Sequence, residues 1–446
     1  MRYAKKTRKA GDSVAQTNED KLTAPFGLLG RTLGHSWSPQ IHERLGSVPY
    51  ALIELEPNEL EPFVRSSENS WQGLNVTIPY KRDAARLADE VSDNVKRLGV
   101  ANTLIRRSDG TIFADNTDLA GFAWMLECFC AQKLGATATA VLGGQEVLVL
   151  GSGGASQAVR AALIDVGATP VIVSRKGPET YEGLTARHPH AALVVNATPV
   201  GMYPNCPATP LAQEELANLR ELKGVVDVVY NPLRTGLCLA AEQLGLPYES
   251  GLGMLVAQAR ASSELFQGRP LADDLVTAIR DDLVRSMANV ILIGMPGAGK
   301  TSCGKRLAKL IGRSFVDMDH AIEADCGRTP ADIISEDGEA AFRSIETRVT
   351  AAYASRSGLV IACGGGVVTR PENYAILHQN GTIVLIDRPL GQLRTEGRPI
   401  SQTHGVEALA AQRMGLYRSW ADLILPCTGS ADGDALAVRD KLGLTS

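Results

Sequence analysis

The apolar stretch Val290-Ile-Leu-Ile293 runs straight into Gly294-Met-Pro-Gly-Ala-Gly299-Lys300-Thr301. A G-x-x-x-x-G-K-T run between a strand and a helix leaves this part of the chain little choice of fold or ligand. The glycines let the backbone curl until its N–H groups point inward at phosphate oxygens. Lys300 is placed to reach the β- and γ-phosphates, and the Thr301 hydroxyl to coordinate Mg²⁺. The helix predicted from Ser302 to Leu310 presents its positive end to the same anions. Gly297, Ala298, Gly299, Lys300, Thr301 and Ser302 are therefore the ATP-binding candidates, with Thr301 as a metal ligand. The competing reading is a chance glycine-rich turn, and the flanking strand and helix argue against it.

A second glycine turn follows another strand. Val147-Leu-Val-Leu150 leads into Gly151-Ser152-Gly153-Gly154-Ala155-Ser156 and then a helix. Strand, glycine turn and helix make a Rossmann-type dinucleotide site plausible. The spacing is not the commoner G-x-G-x-x-G, so flavin sites, nucleotide-sugar sites and plain tight turns compete with it. The next strand, Val171–Val173, ends in Ser174-Arg175-Lys176. An acid here would bind a ribose 2′-hydroxyl, whereas a basic residue accommodates a 2′-phosphate. The basic pair favours NADP(H) over NAD; a solvated basic loop is the alternative.

The 446 residues are too many for one core. Short apolar runs alternate with amphipathic stretches from Phe26 onward, which predicts an α/β fold with mostly parallel sheets. Strands are expected at 147–150, 171–173, 193–195, 225–228, 290–293, 359–362 and 383–386, and an amphipathic helix over 271–287. The domain expectation is a disordered tail over 1–21, then an α/β substrate domain over 22–120 joined by the helices of 254–288. A Rossmann-type domain over 121–253 and a P-loop α/β domain with a parallel sheet over 289–446 follow. A net charge of −4 offers nothing to a nucleic acid, and no run of about twenty apolar residues could span a bilayer. No apolar stretch follows the basic start, as a secretory signal would require. The eight cysteines are scattered without zinc-ligand spacing, which fits a reducing cytoplasm. Small-molecule substrates are the expected partners, and a monomer or homodimer the expected state.

Downstream of the phosphate loop come Phe315-Val-Asp317-Met-Asp319, Phe342-Arg343, Glu346-Thr347, Gly364-Gly365-Gly366, Arg398-Pro399 and Leu416-Tyr417-Arg418. In this order they resemble shikimate kinase over roughly 289–445. The resemblance implies that Asp317 helps hold Mg²⁺ and that Asp319 accepts hydrogen bonds from shikimate hydroxyls. It implies that Arg343 and Arg418 clamp the carboxylate, that the three glycines let the backbone approach the substrate, and that Arg398 sits on a lid over the phosphates. Arginine suits a planar carboxylate because its fork makes two parallel bonds. Taken alone, an Asp-x-Asp is more often a cap and a lone arginine a surface charge. The residues after Arg398 depart from the apolar continuation usual in that family.

The earlier segment carries Gly34-His-Ser36-Trp-Ser38-Pro39, Asn75-Val-Thr77-Ile-Pro79-Tyr-Lys81, Ala101-Asn102-Thr103 and Asp115-Asn-Thr117-Asp118. Asn196-Ala-Thr198-Pro-Val-Gly201-Met202, Asp227-Val228-Val-Tyr230 and Gly251-Leu-Gly-Met254-Leu-Val-Ala-Gln258 follow. This series is similar to shikimate dehydrogenase over roughly 25–288. It implies that Ser36 and Ser38 bind the substrate carboxylate, that Thr77, Asn102 and Gln258 contact ring hydroxyls, and that Lys81 and Asp118 form the catalytic pair. It assigns the NADP pocket to Gly151–Ser156, Ser174, Arg175, Lys176, Thr198, Val228 and Gly251. The family usually has Asn-Arg-Thr where this chain has Ser174-Arg175-Lys176. A lysine near a carbonyl oxygen can polarise it and supply a proton, with a carboxylate holding the ammonium.

Together the resemblances imply a two-step enzyme: NADPH-dependent reduction of 3-dehydroshikimate, then phosphorylation of shikimate by ATP and Mg²⁺, with Lys300 and Asp319 catalytic in the second step. Three alternatives stay open: an NAD-linked quinate/shikimate dehydrogenase, a kinase for another carboxylated polyol, and one half serving only as a regulatory module.

Overall fold

The computed structural model describes residues 24–34, 36–393 and 405–444. The expected tail over 1–21 and Arg398 lie outside these residues. The described chain forms three sheets. It divides into two compact units, one running up to Val200 with Pro210–Tyr230 and Ala240–Asp282, the other comprising Gly201–Thr209, Asn231–Leu239 and Leu283 onward.

The first sheet contains β1 (Phe26–Gly30), β2 (Tyr50–Glu54), β3 (Gly73–Val76), β4 (Glu90–Val91), β5 (Thr103–Arg106) and β6 (Ile112–Asp115), in the order β2-β1-β3-β5-β6-β4. It is mixed: β5 pairs antiparallel with both β3 and β6. Its other three pairings are parallel, as expected, and β5 departs because a tight turn at Ser108–Gly110 joins it to β6, too short for a parallel crossover. Leu29, Ile53, Leu74 and Leu104 build its core.

The second sheet contains β7 (Glu146–Leu150), β8 (Thr169–Val173), β9 (Leu193–Asn196), β10 (Gly224–Asp227) and β11 (Tyr248–Glu249), ordered β11-β10-β9-β7-β8 and parallel throughout. This is a doubly wound sheet whose strand order reverses between β7 and β9, where ligands of such sheets bind. The Gly151 turn leaves β7 at that point.

The third sheet contains β12 (Asn289–Ile293), β13 (Phe315–Asp317), β14 (Val360–Ala362), β15 (Gly381–Asp387) and β16 (Leu423–Pro426), ordered β13-β14-β12-β15-β16, again all parallel. Every residue of β12 is buried, as a central parallel strand covered on both faces requires. All seven strands expected from the apolar runs are present. The helix expected over 271–287 spans Asp274–Met287.

Two candidate active sites

Lys81 opens the helix Lys81–Leu87 and Asp118 opens the helix Asp118–Lys133. Their side chains meet, with Lys81 Nζ 2.5 Å from Asp118 Oδ2, and are only 21% and 10% exposed. Asp118 also sits in the first turn of its helix, where the dipole favours an anion. Its other oxygen accepts from Asn102 Nδ2 at 2.9 Å. Asn102 Oδ1 in turn accepts from the Thr117 N–H at 2.8 Å. Gln258 Oε1 lies 3.4 Å from both Asn102 Nδ2 and Thr117 Oγ1. Gln258 comes this close because the helix Leu252–Gln267 crosses its neighbour at Gly121, where an added Cβ would stand 2.8 Å from Gln258 Cβ.

Behind this group runs a buried polar chain with no charge in it. Thr103 Oγ1 donates to Asn102 Oδ1, and Tyr50 Oη donates to Asn75 Oδ1 at 2.8 Å. His42 stacks on Tyr50 and bonds Ser263 through Nδ1. Burial lowers His42 to about 3, against the pull of its hydrogen bond with Asn75, so the ring is neutral. Sequence reasoning assigned no role to His42, Tyr50 or Thr103. Thr77 follows β3, its N–H bonded to Leu29 O of the neighbouring β1. Ser36 and Ser38 lie past β1, and the bond they share runs from Ser38 N–H to Ser36 Oγ. No described hydrogen bond ties Thr77, Ser36 or Ser38 to the Lys81 network.

At the second sheet, Ser152, Gly153 and Gly154 are exposed at the start of the helix Gly154–Asp165, leaving its N-terminal N–H groups open to an anion. Ser156 is buried with its hydroxyl unpartnered. Thr198 Oγ1 donates to Asn196 Oδ1 at 2.7 Å, and Asn196 Nδ2 reaches the buried Asp227 carboxylate at 3.0 Å. This pair ties the ends of β9 and β10, and sequence reasoning gave it no role. Gly251 packs on Val228, whose carbonyl oxygen would lie 2.0 Å from an added Cβ. Past β8, Ser174 is half-buried and Arg175 and Lys176 are exposed; among the described residues neither basic side chain is ion-paired. An open helix terminus and two available cations suit a phosphorylated dinucleotide.

The third sheet holds a cavity of about 930 Å³ at the carboxyl ends of its strands. Gly297, Gly299, Lys300, Thr301 and Ser302 line it, with Asp317, Asp319, Arg343 and Gly364–Gly366. Ala298 does not: its side chain packs in the core. Lys300 Nζ donates to Gly294 O at 2.8 Å and Met295 O at 3.0 Å. Thr301 Oγ1 donates to Asp317 Oδ2 at 2.7 Å. A hydroxyl and a carboxylate in contact are hard oxygen donors of the kind Mg²⁺ takes.

Arg343 is 7% exposed, and its Nη1 donates to Glu346 Oε2 at 2.6 Å while its Nη2 reaches Glu339 Oε1 at 2.9 Å. Burial works against the Arg343 charge, but Glu346 and Glu339 outweigh it and the guanidinium ends above its ordinary value. Burial also pushes the Glu346 carboxyl up, beyond what Arg343 pulls back. Glu346 Oε1 is buried without a partner. Gly366 packs directly against this fork: a Cβ there would fall 2.1 Å from the Arg343 guanidinium carbon, so the guanidinium would have to shift.

The expected second clamp is displaced. Arg418 is 59% exposed, lies 3.6 Å from Asp387 and does not line the cavity. Arg413 does, at 4% exposure, with Nη1 donating to Gly365 O at 3.1 Å. Five residues along a helix turn a side chain by about 500°, so the two arginines of Val406–Trp420 face directions about 140° apart. A signal was available: Leu409, Ala410, Arg413, Tyr417 and Trp420 form the buried stripe of that helix. An arginine inside an apolar stripe marks a cation turned into the protein.

Residues 28–104 match the family described as shikimate dehydrogenase substrate binding domain, and residues 296–441 the family described as shikimate kinase. A shikimate dehydrogenase (NADP(+)) of Roseobacter denitrificans is 35% identical over 265 residues, covering 54% of this chain and 92% of that protein. The solved chorismate mutase/shikimate 5-dehydrogenase fusion of Clostridium acetobutylicum shares 31% identity at a TM-score of 0.53, covering 58% of this chain and 97% of that one. A quinate dehydrogenase of Corynebacterium glutamicum in complex with NAD shares 27% identity at a TM-score of 0.50, covering 59% and 99%. Fold and sites define a dinucleotide-dependent oxidoreductase joined to a P-loop phosphotransferase. The chain belongs to the shikimate dehydrogenase family, and its C-terminal part is a shikimate kinase domain.

Proposed function

We propose that the chain reduces 3-dehydroshikimate to shikimate with NADPH and then phosphorylates shikimate with Mg-ATP to shikimate 3-phosphate. The observation that carries the reading is the presence on one chain of the Lys81–Asp118 pair and the arginine-lined P-loop cavity.

In the first step NADPH supplies the hydride. The Lys81 ammonium donates a hydrogen bond to the substrate carbonyl oxygen and passes it a proton as negative charge develops there. Asp118 aims the ammonium, and Asn102 aims Asp118. Thr77, Asn102 and Gln258 take ring hydroxyls, and Ser36 and Ser38 the carboxylate. Gly151–Ser156, Thr198, Val228 and Gly251 form the cofactor pocket, and Arg175 with Lys176 receives the 2′-phosphate.

In the second step Asp319 accepts a hydrogen bond from the attacking hydroxyl, and Lys300 neutralises charge on the transferred group. Thr301 and Asp317 would hold Mg²⁺, which offsets phosphate charge when bound. Arg343 and Arg413 take the shikimate carboxylate, which competes with Glu339 for the Arg343 fork. The Gly364–Gly366 backbone lies against the substrate.

Among the described residues no helix is long and apolar enough to cross a membrane. We place the enzyme in the cytoplasm, as a monomer or homodimer; its eight free cysteines support the first. The structural likeness to an NAD-bound quinate dehydrogenase keeps one second reading, an NAD-linked quinate activity, which the exposed Arg175 and Lys176 oppose.

The test incubates the intact chain with 3-dehydroshikimate, NADPH, ATP and Mg²⁺ and identifies products by mass spectrometry. Shikimate 3-phosphate is expected. Shikimate alone would remove the kinase assignment, and no conversion would remove the reductase assignment, with shikimate and ATP supplied directly then testing the kinase. Quinate oxidation with NAD but not NADP would establish the second reading.

A further inference from the structure

Arg388 follows directly on β15 and lines the P-loop cavity. Its side chain is 17% exposed, and its terminal nitrogen lies 3.5 Å from the Asp434 carboxylate. Asp434 is itself 1% exposed and accepts from the Thr428 N–H at 2.7 Å and the Thr428 hydroxyl at 2.8 Å. An aspartate so anchored holds the arginine in one orientation. At the same time Arg388 Nε donates to Ala298 O, inside the phosphate loop, at 2.9 Å. Its Nη2 lies 3.4 Å from where a Cβ on Gly299 would be. The guanidinium therefore rests on the backbone of residues 298–299, beside the N–H groups that in such loops cradle the α- and β-phosphates.

None of the described hydrogen bonds of Arg388 goes to Asp319, Arg343, Glu346 or Arg413, the groups assigned to the acceptor. Lys300, the loop's own cation, is tied to carbonyls on the other side of the same turn. A planar fork fixed at Nε and Nη2 retains further N–H donors for an anion in the cavity, and a cation held beside a phosphate site binds oxygen by charge-assisted hydrogen bonds.

We propose that Arg388 is a ligand of the nucleotide β-phosphate, held against the phosphate loop by Asp434. It rests on the nucleotide reading of the cavity. Its role is affinity for ADP and ATP, not acceptor binding.

Calorimetric titration of the full chain with MgADP and with AMP tests this, using R388Q, which keeps an N–H donor but no charge, and R388K, which keeps the charge without the fork. R388Q is expected to bind ADP about tenfold more weakly, the size of one lost charge-assisted hydrogen bond. AMP, which has no β-phosphate, is expected to bind it as it binds the parent. R388K is expected to lose no more than about threefold for ADP and nothing for AMP, and it carries the test if R388Q does not fold. In turnover, KM for ATP rises while the KM for shikimate stays at the parental value. ADP affinity in R388Q equal to the parent's, or an equal loss for ADP and AMP in either variant, overturns the proposal. A parent chain that binds no ADP would instead overturn the nucleotide reading itself.

Discussion

Around Lys81 the charge amounts to one ion pair set among neutral amides and hydroxyls, with Asn102, Thr117 and Gln258 as its nearest neighbours. The cavity around Lys300 gathers Asp317, Asp319, Arg343, Glu346 and Arg413. The difference follows the chemistry each site serves. Delivering one proton to a carbonyl oxygen needs one well-aimed donor, and additional charges would misdirect it. Moving a phosphoryl group between oxygens leaves several negative charges to be neutralised, so cations and carboxylates accumulate. The fold cost differs too. The neutral network behind Lys81 is satisfied by hydrogen bonds alone, whereas Arg343 and Glu346 are buried charges that hold each other in place.

The sharpest way to break this comparison is to remove the cation from each site in turn. Lys300→Ala is expected to lower shikimate phosphorylation on the order of 10³-fold while leaving NADPH oxidation by 3-dehydroshikimate unchanged. Lys81→Ala is expected to lower that oxidation by about 10²- to 10⁴-fold, with NADP binding and kinase turnover retained. Retained reduction in the Lys81 variant would take the lysine out of the mechanism. The charge-rich character of the kinase site is then sharpened by Arg413→Ala against Arg418→Ala. The first should raise KM for shikimate by roughly tenfold or more, as loss of a charge-assisted bond to a carboxylate does. The second should change it less than about twofold, since an exposed ion pair is worth little. Equal effects would return Arg418 to the clamp.

The neutral character of the other site predicts an effect on stability rather than on turnover. His42 has a folded value of about 3 against an ordinary 6.5, so it supports stability above pH 6.5 and that support is lost as pH falls from 6.5 toward 3. The slope it adds is up to about 1.4 kcal/mol per pH unit. His42→Gln should flatten the fall of the urea midpoint between pH 6 and 4 relative to the parent; an unchanged slope would mean that the ring is not held neutral.

Features written in consecutive residues were readable directly. The phosphate loop, the Gly151 turn and the apolar runs of the parallel sheets each depend on neighbours in the chain, and each stands where it was expected. The pairing of Lys81 with Asp118 came from family resemblance; nothing in their spacing dictates it, and the 2.5 Å contact exists because the ends of two helices converge on Asn102. The antiparallel β5 and the Asn196–Asp227 tie were not anticipated.

By itself, then, the sequence determined that the chain has a P-loop, a second glycine turn followed by basic residues, and α/β domains to carry them. Backbone geometry at a glycine run and strand burial are local matters of sterics and hydrophobicity. Tertiary structure decided which arginine faces the kinase cavity. Arg413 and Arg418 share one helix and one chemistry, and only the rotation of that helix against its neighbours turns the first inward, where Gly365 O receives it, and leaves the second in solvent beside Asp387.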